Sequence, residues 1–463
     1  MALDADLESI AEARRAAEEA FGAWQAFLGT KPDRIDAIVE AMARAVEPQA
    51  ERLASLAVEE TGYGNLADKT IKNLFNTVSV AKWLRKITAL GMLWRDTRTK
   101  VAAFGEPMGV VAALIPVTSP TSTIIFKVLS AVKAGNAIVC APSARGRRCG
   151  IETVSVLARA AVQAGAPEGL IRCLETITLQ GTAELMSHRR TAVVMATGGA
   201  GMVKAAYSSG KPTLAVGAGN VPCYVHRSMG DRIDEAAEMI VHSKSFDYGT
   251  ACVAEQAVIA DREIARDLRH ALKLEGAYFC TAAEADRLSR VIFQPSGRID
   301  PDYVGQSPFT LAEAADFSLP PRTRCLVCEE RGIGRERPLS AEKLNPVLAF
   351  YEAKDADHGL ELAQGIVEFG GLGHSAVVHT QDPEVAARFS ASLPVGRVLV
   401  NTPALFGAMG FSTDLDPSFM LGTGTWSGSI TSDNVTALHL INIKRVAYQS
   451  RPWREIHDEY GPA

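Results

Sequence analysis

The chain has 463 residues, of which 47% are hydrophobic and 22% charged, and its formal net charge is −5. This length predicts two or three domains, and the composition excludes a largely disordered chain. The negative balance argues against a nucleic-acid partner. The acidic stretch 1–6 lacks the apolar core of a signal peptide, and no run is long enough to cross a bilayer. We therefore expect a cytoplasmic globular protein without a membrane partner.

The 8 cysteines are scattered without a disulfide framework, which suits a reducing compartment. Cys325 and Cys328 form a C-x-x-C pattern inside an apolar run that reads as a strand. Because their odd offset puts the two side chains on opposite faces, we interpret this pair as structural. The histidines show no paired spacing, so the sequence predicts no metal site.

The N-terminal part predicts three amphipathic helices, over residues 5–29, 33–60 and 66–90. Residues 101–109 then read as a hairpin. Apolar strands alternate with helices in the stretch that follows, which is typical of a doubly wound α/β domain. The strands are predicted at 110–116, 137–141, 171–174 and 192–196.

A glycine-rich turn, Thr197, Gly198 and Gly199, follows the strand at 192–196 and opens a helix. Such a turn lets backbone N–H groups approach a pyrophosphate at the helix N-terminus. It departs from G-x-G-x-x-G, so by itself it is a weak signal. A second glycine-rich strip lies at residues 216–220.

A second α/β unit is predicted from about residue 226 to 427. It contains Cys252, which lies after a Gly-Thr turn and before an apolar strand, where nearby N–H groups favour a reactive thiolate. Taken alone, a cysteine in such a place is more often a small core residue. The last apolar segment, 437–446, reads as a strand without an intrachain partner and is expected to pair with another subunit.

From about residue 8 to 447 the chain resembles the CoA-acylating aldehyde dehydrogenases, including the aldehyde half of the bifunctional alcohol/aldehyde dehydrogenases. The resemblance rests on five motifs in the same order. They are IPVTSPTST at 115–123, ATGGAGMVKAAYSSGKP at 196–212, FDYGTACVAEQ at 246–256, GGLGH at 370–374 and LGTGTW at 421–426.

The resemblance implies the aldehyde dehydrogenase fold, an α/β architecture. Residues 1–225 would form N-terminal helices and a Rossmann-like cofactor domain, and residues 226–427 a catalytic domain. Residues 428–463 would return to the cofactor domain. A small β arm, made by a hairpin near 98–110 and the terminal strand, would join copies into a homo-oligomer, a dimer or a tetramer.

The resemblance also implies covalent chemistry on Cys252. Its thiolate would attack the aldehyde, hydride would pass to NAD or NADP, and coenzyme A would release the resulting thioester. Thr118 stands where hydrolytic relatives carry an oxyanion-binding Asn, so its hydroxyl would replace that donor. His374 would help to generate the CoA thiolate, or it would make only a structural hydrogen bond; both readings stay open.

One departure separates the acylating from the hydrolytic members. Hydrolytic relatives carry a general base in a Glu-Leu-Gly-Gly motif, and this chain has Ala215-Val216-Gly217-Ala218 there. Without the carboxylate, water is poorly activated, whereas a thiolate still resolves the thioester.

The resemblance places several residues around the dinucleotide. Thr197, Gly198, Gly199 and Gly217 would border the nicotinamide and the pyrophosphate, and Glu342 would bind a ribose.

Pro142 and Ser143 would continue this site in the turn after the strand at 137–141. Ala144 stands where an acidic residue often binds the adenosine ribose, and arginines follow it. NAD and NADP therefore both stay open.

The aldehyde itself is open. The apolar loop 403–411 favours acetaldehyde or propionaldehyde, while Ser119, Ser122 and Thr123 leave sulfoacetaldehyde or succinate semialdehyde as alternatives. Competing functions are a hydrolytic aldehyde dehydrogenase, an acyl-phosphate reductase, a Cys–His hydrolase and a non-catalytic protein that retains the fold. The lumen of a bacterial microcompartment is a second location that this family allows.

Overall fold

The computed structural model describes residues 4–461. Residues 1–3, which belong to the acidic stretch considered above, lie outside the described residues. Among the described residues, no helix has the length and apolar character needed to cross a membrane.

The described chain begins with a helical layer of five elements. They are α1 Ala5–Phe27, α2 Pro32–Val46, α3 Ala50–Thr61, α4 Leu66–Leu74 and α5 Ala81–Leu84.

The predicted bounds of two of the three N-terminal helices were wrong. The helix expected over 33–60 is two helices, because Pro48 lies in a 3-10 turn between α2 and α3. The helix expected over 66–90 ends at Leu84, after a π-helical segment, Phe75–Val80, that joins α4 to α5.

A five-stranded parallel sheet forms the first α/β layer, in the order β5-β4-β3-β6-β7. Its strands are β3 Val110–Leu114, β4 Ala137–Ala141, β5 Ile171–Cys173, β6 Thr191–Thr197 and β7 Thr213–Val216. The helices of this layer are α6 Pro120–Lys133, α7 Arg147–Gln163, α8 Leu179–Ser187 and α9 Ala200–Tyr207. Leu114 lies opposite Ala141 on one side and Ala196 on the other, so three strands end at one edge.

A seven-stranded sheet forms the second layer, in the order β10-β11-β12-β9-β8-β13-β14, with parallel pairing throughout. Its strands are β8 Val221–Val225, β9 Glu255–Asp261, β10 Ala277–Phe279, β11 Cys325–Glu329, β12 Val347–Ala353, β13 Gly373–His379 and β14 Val395–Val400. Its helices are α10 Ile233–Ser245, α11 Arg262–Leu274, α12 Ala282–Ile292, α13 Pro308–Ala314, α14 Ala356–Gly370, α15 Pro383–Ser392 and α16 Ala404–Ala408.

The cores confirm the interpretation of the C-x-x-C pair. Cys325 belongs to a large core shared by both sheets, whereas Cys328 packs in a separate core with Leu288 and Leu311. The two side chains therefore point to opposite faces of β11, and both are free thiols.

A three-stranded antiparallel sheet projects from this body, in the order β1-β2-β15. Its strands are β1 Gly91–Asp96, β2 Val101–Pro107 and β15 Ile441–Ala447, and α17 Glu455–Tyr460 follows. The hairpin predicted at 101–109 is therefore displaced, because residues 97–100 form the turn and β1 precedes it.

The expectation that the terminal strand has no intrachain partner was wrong. β15 pairs with β2 along its whole length, Ile441 opposite Pro107 and Ala447 opposite Val101. The other edge of β15 has no strand beside it among the described residues, and six of its seven residues are exposed. Just before β15, the side-chain amide of Asn136 donates to Leu440 O at 2.8 Å and holds the C-terminal segment against the first sheet.

Two helical glycines, Gly359 and Gly22, give a matched test of how tightly the helices pack against the rest of the protein. A Cβ on Gly359 of α14 would lie 2.6 Å from the ring of Tyr224, whose hydroxyl is held by Asp261 at 2.7 Å. A Cβ on Gly22 of α1 would meet nothing within 4 Å. We expect Gly359→Ala to lower stability by about 1–2 kcal/mol through overpacking. Gly22→Ala should raise it by roughly 0.5–1 kcal/mol through helix propensity. Thermal melting of both variants checks this, and shifts of the same sign would contradict it.

Candidate active site

A cleft of about 630 Å³ opens where the strands of the first sheet end and the loop before β9 begins. Nine of the ten residues singled out from the sequence line it. They are Thr118, Pro142, Ser143, Thr197, Gly198, Gly199, Gly217, Cys252 and Glu342. The tenth, His374, lies in β13 behind Cys252 and is fully buried. Residues as far apart in the chain as Thr118 and Glu342 thus meet in one place, because both sheets direct their loops to it.

Cys252 and His374 are in direct contact. His374 Nε2 lies 3.2 Å from Cys252 Sγ, and His374 Nδ1 lies 3.2 Å from Ser375 Oγ. Burial, assisted by the charge of Arg397, lowers the pKa of His374 to about 3, so its imidazole is neutral. The tautomer that carries its proton on Nδ1 and donates it to Ser375 Oγ leaves Nε2 to accept from the thiol.

The thiol of Cys252 is protonated in this geometry. Burial raises its pKa to about 12, and the nearby Glu342 adds to the shift, while Arg397 and Lys72 oppose it. The structure therefore holds the nucleophile as a thiol hydrogen-bonded to a neutral base, and ionisation needs a further charge or donor brought by a ligand.

Gly219 explains why the strip at 216–220 is rich in glycine. A Cβ there would lie 2.2 Å from Cys252 O and 3.0 Å from the His374 ring. The Gly219 N–H donates to Glu342 Oε1 at 2.9 Å, so this one residue connects the thiol loop with the predicted ribose ligand.

Glu342 is the only carboxylate among the described residues that line the cleft. Burial raises its pKa to about 7, against the opposing effect of the Gly219 N–H. The position of the hydrolytic general base, by contrast, is taken by Ala215, which is buried in β7.

Two buried hydroxyls at the predicted dinucleotide turns have no hydrogen-bond partner in the described part of the chain. They are Thr197 Oγ1, at the end of β6, and Ser143 Oγ, after β4. Buried polar atoms are normally satisfied, so these two suit a ligand that offers hydroxyl or phosphate oxygens.

The predicted oxyanion residue Thr118 lies in the loop between β3 and α6. Behind it, Lys127 is buried and donates from Nζ to Leu114 O at 2.7 Å and to Met195 O at 3.0 Å. Lys127 thereby binds the ends of β3 and β6, and burial lowers its pKa to about 7.

Sequence reasoning missed a buried ionic cluster beside the thiol. Asp247, Lys69 and Lys72 are each at most 3% exposed, and both lysines contact Asp247 Oδ2, at 3.0 and 2.6 Å. The spacing of the two lysines, i and i+3 on a helix, was a weak signal for a shared face. Nothing in the sequence indicated that these two lysines, 178 and 175 residues before Asp247, contact the segment that leads to Cys252.

Arg397 is the second missed residue. It is 5% exposed and donates to His374 O at 3.0 Å, Ser432 O at 2.8 Å and Asn434 Oδ1 at 2.7 Å, and also to Gly422 O. It therefore fixes the backbone of His374.

Comparison with known proteins identifies the family. Residues 2–277 match the aldehyde dehydrogenase family. The chain belongs to this family. Aldehyde-alcohol dehydrogenase 2 of Entamoeba histolytica is 40% identical over 90% of this chain and 48% of its own length. The chain thus spans about half the length of the bifunctional relatives it matches. A sulfoacetaldehyde dehydrogenase (acylating) of Cupriavidus necator is 34% identical over 95% of this chain and 88% of that protein.

Solved structures agree with this assignment. An acetylating aldehyde dehydrogenase from Geobacillus thermoglucosidasius is 45% identical, covers 97% of this chain and 99% of its own, and superimposes with a TM-score of 0.95. A propionaldehyde dehydrogenase from Rhodopseudomonas palustris with bound propionyl-CoA is 26% identical, with 94% of each chain covered and a TM-score of 0.86. The fold of this chain is the aldehyde dehydrogenase fold expected from the resemblance.

The raised pKa of Cys252 makes its reactivity testable without any substrate. We expect iodoacetamide to alkylate Cys252 slowly at pH 7 and about tenfold faster with each pH unit up to about pH 10, because the thiolate fraction is proportional to hydroxide well below the pKa. Peptide mass spectrometry separates Cys252 from the other cysteines, and Cys252→Ala supplies the blank. A plateau below pH 9 would show that the free protein already holds a thiolate.

Proposed function

We propose that the chain oxidises a small aldehyde to its acyl-CoA with NAD or NADP as hydride acceptor. The observation that carries the proposal is Cys252 facing a cleft bordered by the dinucleotide turns, with Ala215 in place of a hydrolytic base. The acylating relatives support it.

The first half-reaction forms a covalent adduct on Cys252. His374 Nε2 takes the thiol proton as sulfur adds to the aldehyde carbon, and the imidazolium returns it to the carbonyl oxygen, giving a thiohemiacetal. The Cys252 N–H and the Thr118 hydroxyl stabilise the developing oxyanion. The bound nicotinamide supplies the hydride acceptor. Loss of hydride from carbon to that acceptor, with return of the hydroxyl proton to His374 Nε2, leaves a thioester on Cys252.

The second half-reaction transfers the acyl group to coenzyme A. The CoA thiol gives its proton to solvent and its sulfur attacks the thioester carbon, the bond to Cys252 breaks, and the protonated His374 Nε2 returns its proton to the Cys252 sulfur. The sequence left two roles open for His374, a base for CoA and a purely structural hydrogen bond. Because His374 lies behind Cys252 in β13 and contacts its sulfur, we propose instead that it moves the proton of Cys252.

The cleft residues fit a dinucleotide. Thr197 Oγ1 and Ser143 Oγ would bind its phosphate or ribose oxygens, and the free oxygen of Glu342 a ribose hydroxyl. The choice between NAD and NADP stays open, because Ala144 offers no carboxylate and Arg145 is already bonded to Tyr63 at 3.2 Å and Asp302 at 3.3 Å.

The wall beside Cys252 favours a small aliphatic aldehyde such as acetaldehyde or propionaldehyde. Apolar side chains make up this wall: Val253, Leu405, Met409, Phe419 and Leu421. Lys72 is the only cation among the described lining residues, and three acceptors already occupy its ammonium group. An anionic aldehyde would therefore find no free cation there.

A hydrolytic reaction is the second candidate, because the cleft keeps one carboxylate whose pKa lies near neutrality. Glu342 would then have to activate water in place of the missing base. One of its oxygens already accepts the Gly219 N–H, which limits that role.

The dependence on coenzyme A separates the two candidates. Without CoA, we expect a burst of one reduced cofactor per active site followed by near arrest, because Ala215 cannot deprotonate water. With CoA, turnover should be steady, and Cys252→Ala should abolish it. The readout is absorbance of the reduced cofactor with acetaldehyde and propionaldehyde. Steady formation of free acid without CoA, lost in Glu342→Gln, would establish the hydrolytic reaction instead.

We also propose that the protein is a homo-oligomer, a dimer or a tetramer, that uses the free edge of β15. Ile443 and Val446 are 46% and 38% exposed on this strand, and an exposed strand edge invites pairing. The free cysteines suit the cytoplasm, which we propose as its location.

Light scattering at micromolar concentration tests the assembly. The protein should be a dimer or larger, and Ile443→Pro, which removes an N–H from β15, should shift the mass toward the monomer. Leu274→Ala, at a side chain of α11 that is 70% exposed, is the control and should leave the mass unchanged. A monomeric wild-type protein would contradict the proposal.

A further inference from the structure

We propose that Asp247, Lys69 and Lys72, here called the 247 cluster, are positioning residues that fix the thiol loop of Cys252 against the loop of Thr118 and Ser119. The inference rests on the proposed function, because these two loops would hold the nucleophile and the oxyanion donor.

Each lysine of the cluster bridges the two loops. Lys69 Nζ donates to Thr118 O at 2.8 Å and to Asp247 Oδ2 at 3.0 Å. Lys72 Nζ donates to Ser119 Oγ at 3.1 Å, to Asp247 Oδ2 at 2.6 Å and to Thr250 Oγ1 at 3.0 Å. Since Thr250 is two residues from Cys252, the position of the thiol relative to Thr118 depends on these bonds.

Asp247 is fully buried and its carboxylate is saturated. Besides the two lysines, Oδ2 accepts from Thr250 Oγ1 at 2.8 Å, and Oδ1 accepts from the Asn65 N–H at 3.0 Å. A Cβ on Gly64 would lie 1.8 Å from Oδ1, so the backbone approaches this carboxylate as closely as only glycine allows. These contacts lower the pKa of Asp247 despite its burial.

The backbone that leads to Cys252 needs such support. Asp247 has φ 48° and ψ 37°, Tyr248 has φ 50° and ψ 39°, and Gly249 has φ 67°. Three consecutive residues are thus left-handed, and two of them carry a side chain that disfavours this conformation. Strain of this kind persists only where the surroundings over-determine the backbone, and the 247 cluster supplies those contacts.

The cluster also brings charge to the cleft. Lys69 and Lys72 contact the carboxylate of Asp247, and the carboxylate of Asp68 accepts from the Asp247 N–H at 2.7 Å. Lys72 lines the cleft, and its charge favours both a thiolate on Cys252 and an oxyanion beside Thr118.

The test compares three variants of the intact enzyme. Lys72→Met removes the bridge and keeps the side-chain stem, and Thr250→Val removes one hydroxyl but no charge. Lys133→Met is the matched control, because Lys133 is also buried, at 5% exposure, and paired with an aspartate, Asp36, yet contacts neither loop. The readouts are the burst rate without CoA, the rate of Cys252 alkylation by iodoacetamide at pH 8, the Kd of NAD and NADP, and the Tm.

We expect Lys72→Met to slow the burst by about tenfold or more and Thr250→Val by about threefold, with cofactor Kd within about twofold of wild type. Alkylation should slow in both. Lys133→Met should lower the Tm and leave burst and alkylation unchanged. Burst and alkylation rates within about twofold of wild type in Lys72→Met would overturn the proposal. If that variant does not fold, the same result in Thr250→Val would overturn it.

Failure of the proposed function would look different. If the wild-type protein gives no burst with any aldehyde, the acylating reaction is refuted. Alkylation of Cys252 needs neither aldehyde nor cofactor, so it still decides whether the cluster positions the thiol.

Discussion

Burial of the titratable groups around Cys252 is the constraint on which the chemistry of the cleft depends. The same exclusion of water raises the pKa of Cys252 to about 12, raises that of Glu342 to about 7 and lowers that of His374 to about 3. Because burial always disfavours the charged form, the thiol and the imidazole are neutral together, although each would ionise more readily in water. The neutral thiol of Cys252 and the neutral imidazole of His374 are stable together without a ligand. The thiol becomes nucleophilic only as its sulfur forms a bond to an electrophile. The cleft thereby keeps the cysteine protected until an electrophile is present.

Two buried cations, Lys72 and Arg397, partly compensate for the exclusion of water around Cys252. Lys72 approaches the thiol loop from α4, and Arg397 holds the backbone of His374 from β14. Neither is free to move, since each has acceptors for its N–H groups. Removing one partner of a buried ion pair typically costs about 3–5 kcal/mol, because the other charge is left uncompensated. The arrangement is therefore rigid, and rigid charges stabilise a transition state without the reorganisation that water would require.

Much of this fold could be predicted because its strands are continuous apolar runs. β3 and β4 are buried along their whole length, which is the pattern that indicates a parallel sheet covered on both faces. Nine of the ten residues that the motifs named as catalytic or dinucleotide-binding also line one cleft.

The wrong predictions fall where the local sequence pattern carries no information about the structure. β1 is mostly exposed and lacks alternation, so no strand was predicted over Gly91–Asp96, and the partner of β15 lies more than 300 residues away. The bonds from Lys69 and Lys72 to Asp247 span 178 and 175 residues, so no spacing in the sequence could reveal them.

The fate of the thioester follows from the same geometry. Hydrolysis needs a base that can reach a water molecule next to the acyl carbon, and the strand position that serves this purpose in hydrolytic relatives is a buried alanine. Glu342 has a suitable pKa, but Gly219 occupies one of its oxygens, and a bound ribose would occupy the other. With the proposed cofactor in place the cleft would therefore have no free base, and the acyl group would wait on Cys252. A thiol needs less help than water does, because a useful fraction of thiolate exists near neutral pH without a base. Under the proposed function, selectivity for a thiol acceptor would thus arise because the cleft offers water no free base, and it would need no group that recognises sulfur.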